Sequence, residues 1–128
     1  MTDPLHALSP LDGRYAETVA SLTEFFSEFA FLRDRVRVEL NYLPALSKTG
    51  LVRPLTDSES ARLESFHANF SAADAESILA HERKTRHDVK ALEYFLQDKF
   101  QNTSLADLIP WIHFGLTSED INSIGQAI

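Results

Sequence analysis

Three stretches of this chain carry side chains able to grip an anion or to exchange a proton near neutral pH. In Ser9-Pro10-Leu11-Asp12-Gly13-Arg14-Tyr15 an arginine and a tyrosine follow a glycine hinge. A guanidinium makes paired hydrogen bonds to oxyanions, so Arg14 and Tyr15 could clamp a phosphate and a ring. A tight turn with Arg14 solvated accounts for the same residues. In Thr85-Arg86-His87-Asp88, a histidine offers an imidazole able to exchange a proton, and Asp88 can orient it or cap a helix. A capped loop with His87 half-exposed is the plainer alternative. In His113-Phe114-Gly115-Leu116-Thr117-Ser118-Glu119-Asp120-Ile121-Asn122, two hydroxyls stand where a helix would begin. Free backbone N–H groups there suit a carboxylate, although ordinary helix capping explains the pattern too.

Helices must position these groups. The only glycines are residues 13, 50, 115 and 125, and the prolines are 4, 10, 44, 54 and 110. Breakers so few and so widely spaced favour long helices over many strands. Residues 1–17 read as an extended or looped arm. Leu22, Phe25, Phe26, Phe29, Leu32, Val36, Leu40 and Leu43 recur at spacings of three and four, which predicts one helix from about Thr18 to Ser47 with Pro44 kinking or ending it. Thr56-Asp57-Ser58-Glu59 and Ser71-Ala72-Ala73-Asp74 have capping-box spacing and predict helices over about 57–69 and 72–85. The polar run Arg83–Asp88 predicts a break, with Asp88 or Thr85 capping the next helix, whose stripe is Val89, Leu92, Leu96 and Phe100. Leu105 to Ile112 is a short helix or turn interrupted by Pro110. A last helix opens at Thr117, and its run to Ile128 without a glycine cap or basic last turn suggests a piece of a longer chain. Arg33, Arg35 and Arg37 read as a solvated face, with Arg35 and Glu39 paired at i,i+4, and the nine Phe as mostly core.

Composition narrows the chemistry. At 128 residues the chain has the size of one domain, with 44% hydrophobic and 24% charged residues. A net charge of −7 argues against general nucleic-acid binding, while leaving room for a local basic pocket. The absence of Cys removes disulfides, thiol catalysis and thiolate metal sites. A metal site is further disfavoured because His81-Glu82 lacks a second His four residues on. No secretory signal is visible, and no apolar run approaches the roughly 18 residues of a membrane span.

In this order, Ser9–Tyr15, His87-Asp88-Val89-Lys90-Ala91 with Glu93-Tyr94, and Ile112-His113-Phe114 leading into Thr117-Ser118-Glu119-Asp120-Ile121-Asn122 resemble the amino-terminal motifs of the bacterial adenylosuccinate lyase family. The last motif is shared loosely across the fumarase/aspartase superfamily; the first two narrow it. The resemblance spans nearly all of this chain but only the opening portion of the family's. Ser123 departs from the family pattern, where a second Asn is common, and Arg86 is variable.

That resemblance implies an all-α fold: the amino-terminal helical domain of a fumarase/aspartase-like lyase, ending at the start of the central helical bundle. Residues 1–116 would form the substrate-binding domain, and 117–128 the start of a helix into the central domain. It implies a cytoplasmic homotetramer with active sites built from three subunits, acting without cofactor or metal. Fumarate would be eliminated from adenylosuccinate, giving AMP, and from the succinyl-carboxamide intermediate of purine synthesis. Arg14 and Tyr15 would contact the nucleotide. Arg86, His87 and Asp88 would line the pocket, and Thr117 and Ser118 would hold the succinyl part. The family's acid, a His, and its base, a Ser on a mobile loop, would lie beyond Ile128, so residues 1–128 would hold no catalytic residue and be inactive alone. Two rivals are a related lyase such as argininosuccinate lyase, against which Asp12-Gly13-Arg14-Tyr15 argues, and a non-catalytic helical interaction module.

Overall fold

At three places where the sequence sets a hydroxyl three residues ahead of an acid, a helix begins. Thr56, Ser71 and Thr117 each accept a hydrogen bond from the backbone N–H three residues on, and Glu59, Asp74 and Asp120 each accept one from the cap N–H. These reciprocal caps satisfy backbone donors that have no partner inside the helix. The computed structural model describes residues 3–128, and every regular element among them is helical. The chain divides into two compact units, one ending at Phe31 and the other covering Leu32–Ile128.

The first unit is built mainly of turns. Pro4–His6 and Ala20–Leu22 are single 3₁₀ turns, and α1 spans Thr23–Phe26. The single helix expected from Thr18 is therefore interrupted. Ser27 leaves the helical region (φ −75°, ψ 160°), and its hydroxyl accepts from Ala30 N at 3.1 Å. A serine there acts as the amino cap of a new helix instead of continuing the old one. The apolar stripe is divided with it: Leu22, Phe25, Phe26 and Phe29 are exposed, whereas Leu32, Val36, Leu40 and Leu43 are buried.

The new helix, α2, spans Glu28–Thr49 and carries most of its length in the second unit. Pro44 lies inside it without ending it, and Gly50, at φ +80°, supplies the left-handed exit. After α3 (Asp57–Ala68) and α4 (Ala72–Thr85), α5 (Asp88–Phe100) packs back along α4. A 3₁₀ segment, Ala106–Trp111, contains Pro110, and α6 covers Ser118–Ala127.

The main core gathers Leu32, Val36, Leu40 and Leu43 of α2 with Leu63, Ile78, Leu92, Phe95, Leu96, Phe100, Leu105 and Leu108. Each such side chain is worth roughly 1.5–3 kcal/mol on burial. Phe95 meets Phe66 and Phe70 edge-on at 6.2 and 6.4 Å. The phenylalanines are not mostly core, however. Phe70, Phe95 and Phe100 are buried, while Phe25, Phe26, Phe29 and Phe114 are exposed. Nor are Arg35 and Glu39 a solvated pair. Both are buried, at 5% and 1% exposure, and each has a partner elsewhere. Their spacing from Leu32 and Val36 puts them on the inner face, where a charge must find a partner across the fold.

Candidate functional site

The glycine hinge of the first unit is a tight, self-bonded turn. Asp12 accepts from Ser9 N at 2.6 Å, from Ser9 Oγ at 2.8 Å and from Leu8 N at 3.2 Å. The Ser9 hydroxyl and N–H hold the Asp12 carboxyl below its usual range. Gly13 is required by close approach: a Cβ there would lie 2.7 Å from the Pro4 carbonyl and 2.9 Å from Ala7 Cβ. Just beyond, Arg14 donates to the Tyr15 hydroxyl at 2.6 Å and lies over its ring at 4.5 Å. The two side chains thus form one exposed cation–aromatic pair on a fixed turn.

In the second unit the break before α5 is sharper than the sequence suggests. Arg86 ends α4 in the left-handed region (φ 54°), where glycine or asparagine is usual, and its N–H reaches Glu82 O at 2.7 Å. The cap of α5 is neither Asp88 nor Thr85 but His87, whose Nδ1 accepts from Lys90 N at 3.2 Å. Thr85 instead brackets His87, donating to its carbonyl at 3.0 Å and accepting its N–H at 3.3 Å. Asp88, the first residue of the helix, pairs with the buried Arg35 of α2 at 2.7 Å. Although partial burial works the other way, Arg35 and the Val89 N–H keep its carboxyl below the ordinary carboxylate range. His87 keeps a half-exposed ring.

Thr117 caps α6, as the hydroxyl spacing implies, and Ser118 is its first residue. The Thr117 hydroxyl donates to Asp120 Oδ2 at 2.8 Å, and Thr117 N donates to the same oxygen at 2.7 Å. Asp120 folds back onto this end, because a capping box is the shortest way to satisfy the cap N–H. Its carboxyl is held below the usual range by those two donors. Among the described residues, no hydrogen bond engages the Ser118 hydroxyl.

The amino ends of α5 and α6 meet on one small apolar cluster. Val89 is one residue into α5, Ile121 is in the first turn of α6, and both pack with Val38 of α2 and with Leu116. Arg35 lies beside this cluster. It pairs with Asp88 on one side, and Gly125 of α6 lies against its side chain on the other, with a Cβ at that glycine 3.5 Å from Arg35 Cγ. A Cβ at 125 would make ordinary van der Waals contact with the arginine that anchors α5. Sequence reasoning missed Arg35 and Glu39 as part of this region. Glu39 stands seven residues after Leu32 and four before Leu43, on the apolar stripe itself, and that is the signal by which it could have been found.

No protein-family model matches the chain. Adenylosuccinate lyase of Haemophilus influenzae is 47% identical over 128 residues, covering 97% of this chain and 28% of that protein. The enzymes of Legionella pneumophila and Escherichia coli are each 41% identical over the same shares. The chain therefore spans about 28% of the length of the curated relatives it matches. Identity of this order along nearly every residue, in an all-helical chain whose motifs fall at helix starts and turns, makes it a member of the adenylosuccinate lyase family, corresponding to the amino-terminal part of those enzymes.

Proposed function

We propose that this chain supplies the amino-terminal part of the substrate site of a carbon–nitrogen lyase that eliminates fumarate from adenylosuccinate and from the succinyl-carboxamide intermediate of purine synthesis. The reading is carried by one observation: the starts of α5 and α6, with His87 and Asp88 at one and Thr117 and Ser118 at the other, are packed onto a shared cluster. Two helix amino termini close together favour an anionic ligand, because their partial positive charges add.

In this elimination a base takes the proton from the carbon beside a carboxylate. The electron pair forms the fumarate double bond, and the carbon–nitrogen bond breaks as an acid protonates the nitrogen. Proton transfer of this kind typically contributes about 10²–10⁴-fold per group. Residues 1–128 provide orientation: Ser118 donates to a succinyl carboxylate, and Thr117 joins it when its hydroxyl leaves Asp120. Arg86 and His87 line the pocket, Asp88 fixes the start of α5 through Arg35, and Arg14 with Tyr15 contacts the nucleotide. The proton-transfer residues belong to the rest of the full-length enzyme, a cytoplasmic, cofactor-free homotetramer in which 1–116 is the substrate-binding domain and 117–128 leads into the central helices.

The test is turnover of adenylosuccinate, followed by ultraviolet absorbance. The full-length protein should convert it and residues 1–128 alone should not. Conversion by 1–128 in proportion to its concentration would defeat the proposal that the site is incomplete here.

A further inference from the structure

A buried carboxylate on α2 grips the residue that leads into α6. Glu39 gives both its oxygens to His113: Oε1 lies 2.6 Å from Nδ1, and Oε2 accepts the backbone N–H at 3.0 Å. Three residues along the same helix, Tyr42 donates its hydroxyl to the Phe114 carbonyl at 3.0 Å. His113 has φ +60°, a conformation that persists in a non-glycine residue only where its surroundings impose it. Leu32, Val36 and Leu43 on this face show that packing alone asks for an apolar side chain at position 39. The carboxylate is retained although burial pushes its pKa up, opposed by the hydrogen bonds from His113.

The grip fixes chemistry as well as place. An ionised carboxylate only accepts, so Nδ1 carries a proton, and in the neutral imidazole that leaves Nε2 as the acceptor. Among the described residues nothing hydrogen-bonds Nε2. The other carboxylates near this pair are already engaged, Glu93 of α5 with Lys90 at 2.6 Å and Asp120 with its cap.

We infer that Glu39 is a positioning residue, setting the backbone and the tautomer of His113 so that the imidazole Nε2 faces the ligand held at the start of α6. The inference rests on the proposed lyase reading. Glu39→Gln tests it with little change of shape. The glutamine oxygen can still take the His113 N–H, but its NH₂ then faces Nδ1, and the imidazole proton must move to Nε2. Imidazole ¹⁵N shifts of residues 1–128 should show that inversion against the wild type. In the full-length enzyme, E39Q should lower kcat/KM by about 10–100-fold, the scale known for carboxylates that orient metal-binding histidines. The melting temperature should move little, and E39Q should cost far less in an H113N background. An unchanged tautomer, or an inverted tautomer with kcat/KM within twofold of wild type, overturns the positioning role. Wild-type full-length protein without turnover overturns the lyase reading and the role together, which separates the two failures.

Discussion

His87 carries two duties that one substitution cannot distinguish. Its Nδ1 accepts from Lys90 N as the cap of α5, and its ring projects half-exposed at the break. Alanine removes both, and losing a capping side chain typically costs about 0.5–2 kcal/mol. Asparagine is among the best caps and has no imidazole. The expected outcome in the full-length enzyme is therefore a loss of activity for both H87A and H87N, with a lowered melting temperature for H87A alone. If H87N keeps wild-type kcat and KM, the histidine is only a cap.

At the scale of elements, Arg53 ties the start of α3 to the 3₁₀ segment. It binds Glu59 at 2.8 and 2.9 Å, Asp107 at 2.7 and 2.9 Å, and Ser104 O at 2.9 Å. The Arg53 guanidinium, followed by the Thr56 N–H, holds the Glu59 carboxyl down to about 2, against an ordinary 4.5. A carboxyl depressed in the folded state adds stability above its unfolded value, and that contribution fades as pH falls through the folded one. Melting temperature should therefore decline as pH falls from about 4.5 towards 2, and the Glu59 contribution to that decline should be absent in E59Q. An identical acid profile in E59Q would show that the pair contributes nothing measurable.

At the scale of the whole molecule, apolar side chains remain on the surface. Phe25 and Phe26 are 60% and 82% exposed, and Ile124 and Ile128 about half. Contiguous apolar surface beyond a few hundred Å² favours association. Residues 1–128 should bind an apolar dye and self-associate with concentration in sedimentation experiments, and less so after F25S/F26S. A dye-silent monomer at high concentration would show that these side chains do not form a working patch.

Local rules made the helix starts legible in the residues alone. Hydroxyl–acid spacings at Thr56, Ser71 and Thr117 start helices because the cap bonds reach only three residues, and the family motifs are likewise contiguous. The break at Ser27 rests on a hydroxyl cap alone, with Ala30 where the acid would stand, and was hidden under an unbroken apolar stripe. The partners of the buried charges were set by packing between helices. Arg35 and Glu39 lie four residues apart, as a helical pair would, yet their partners are Asp88, 53 residues away, and His113, 74 residues away. Spacing along one helix cannot report such partners, since α2 is satisfied only when the starts of α5 and α6 pack against it at Val38. A charge taken from water needs a counterpart wherever the fold brings one, and that choice belongs to the packing of helices distant in sequence.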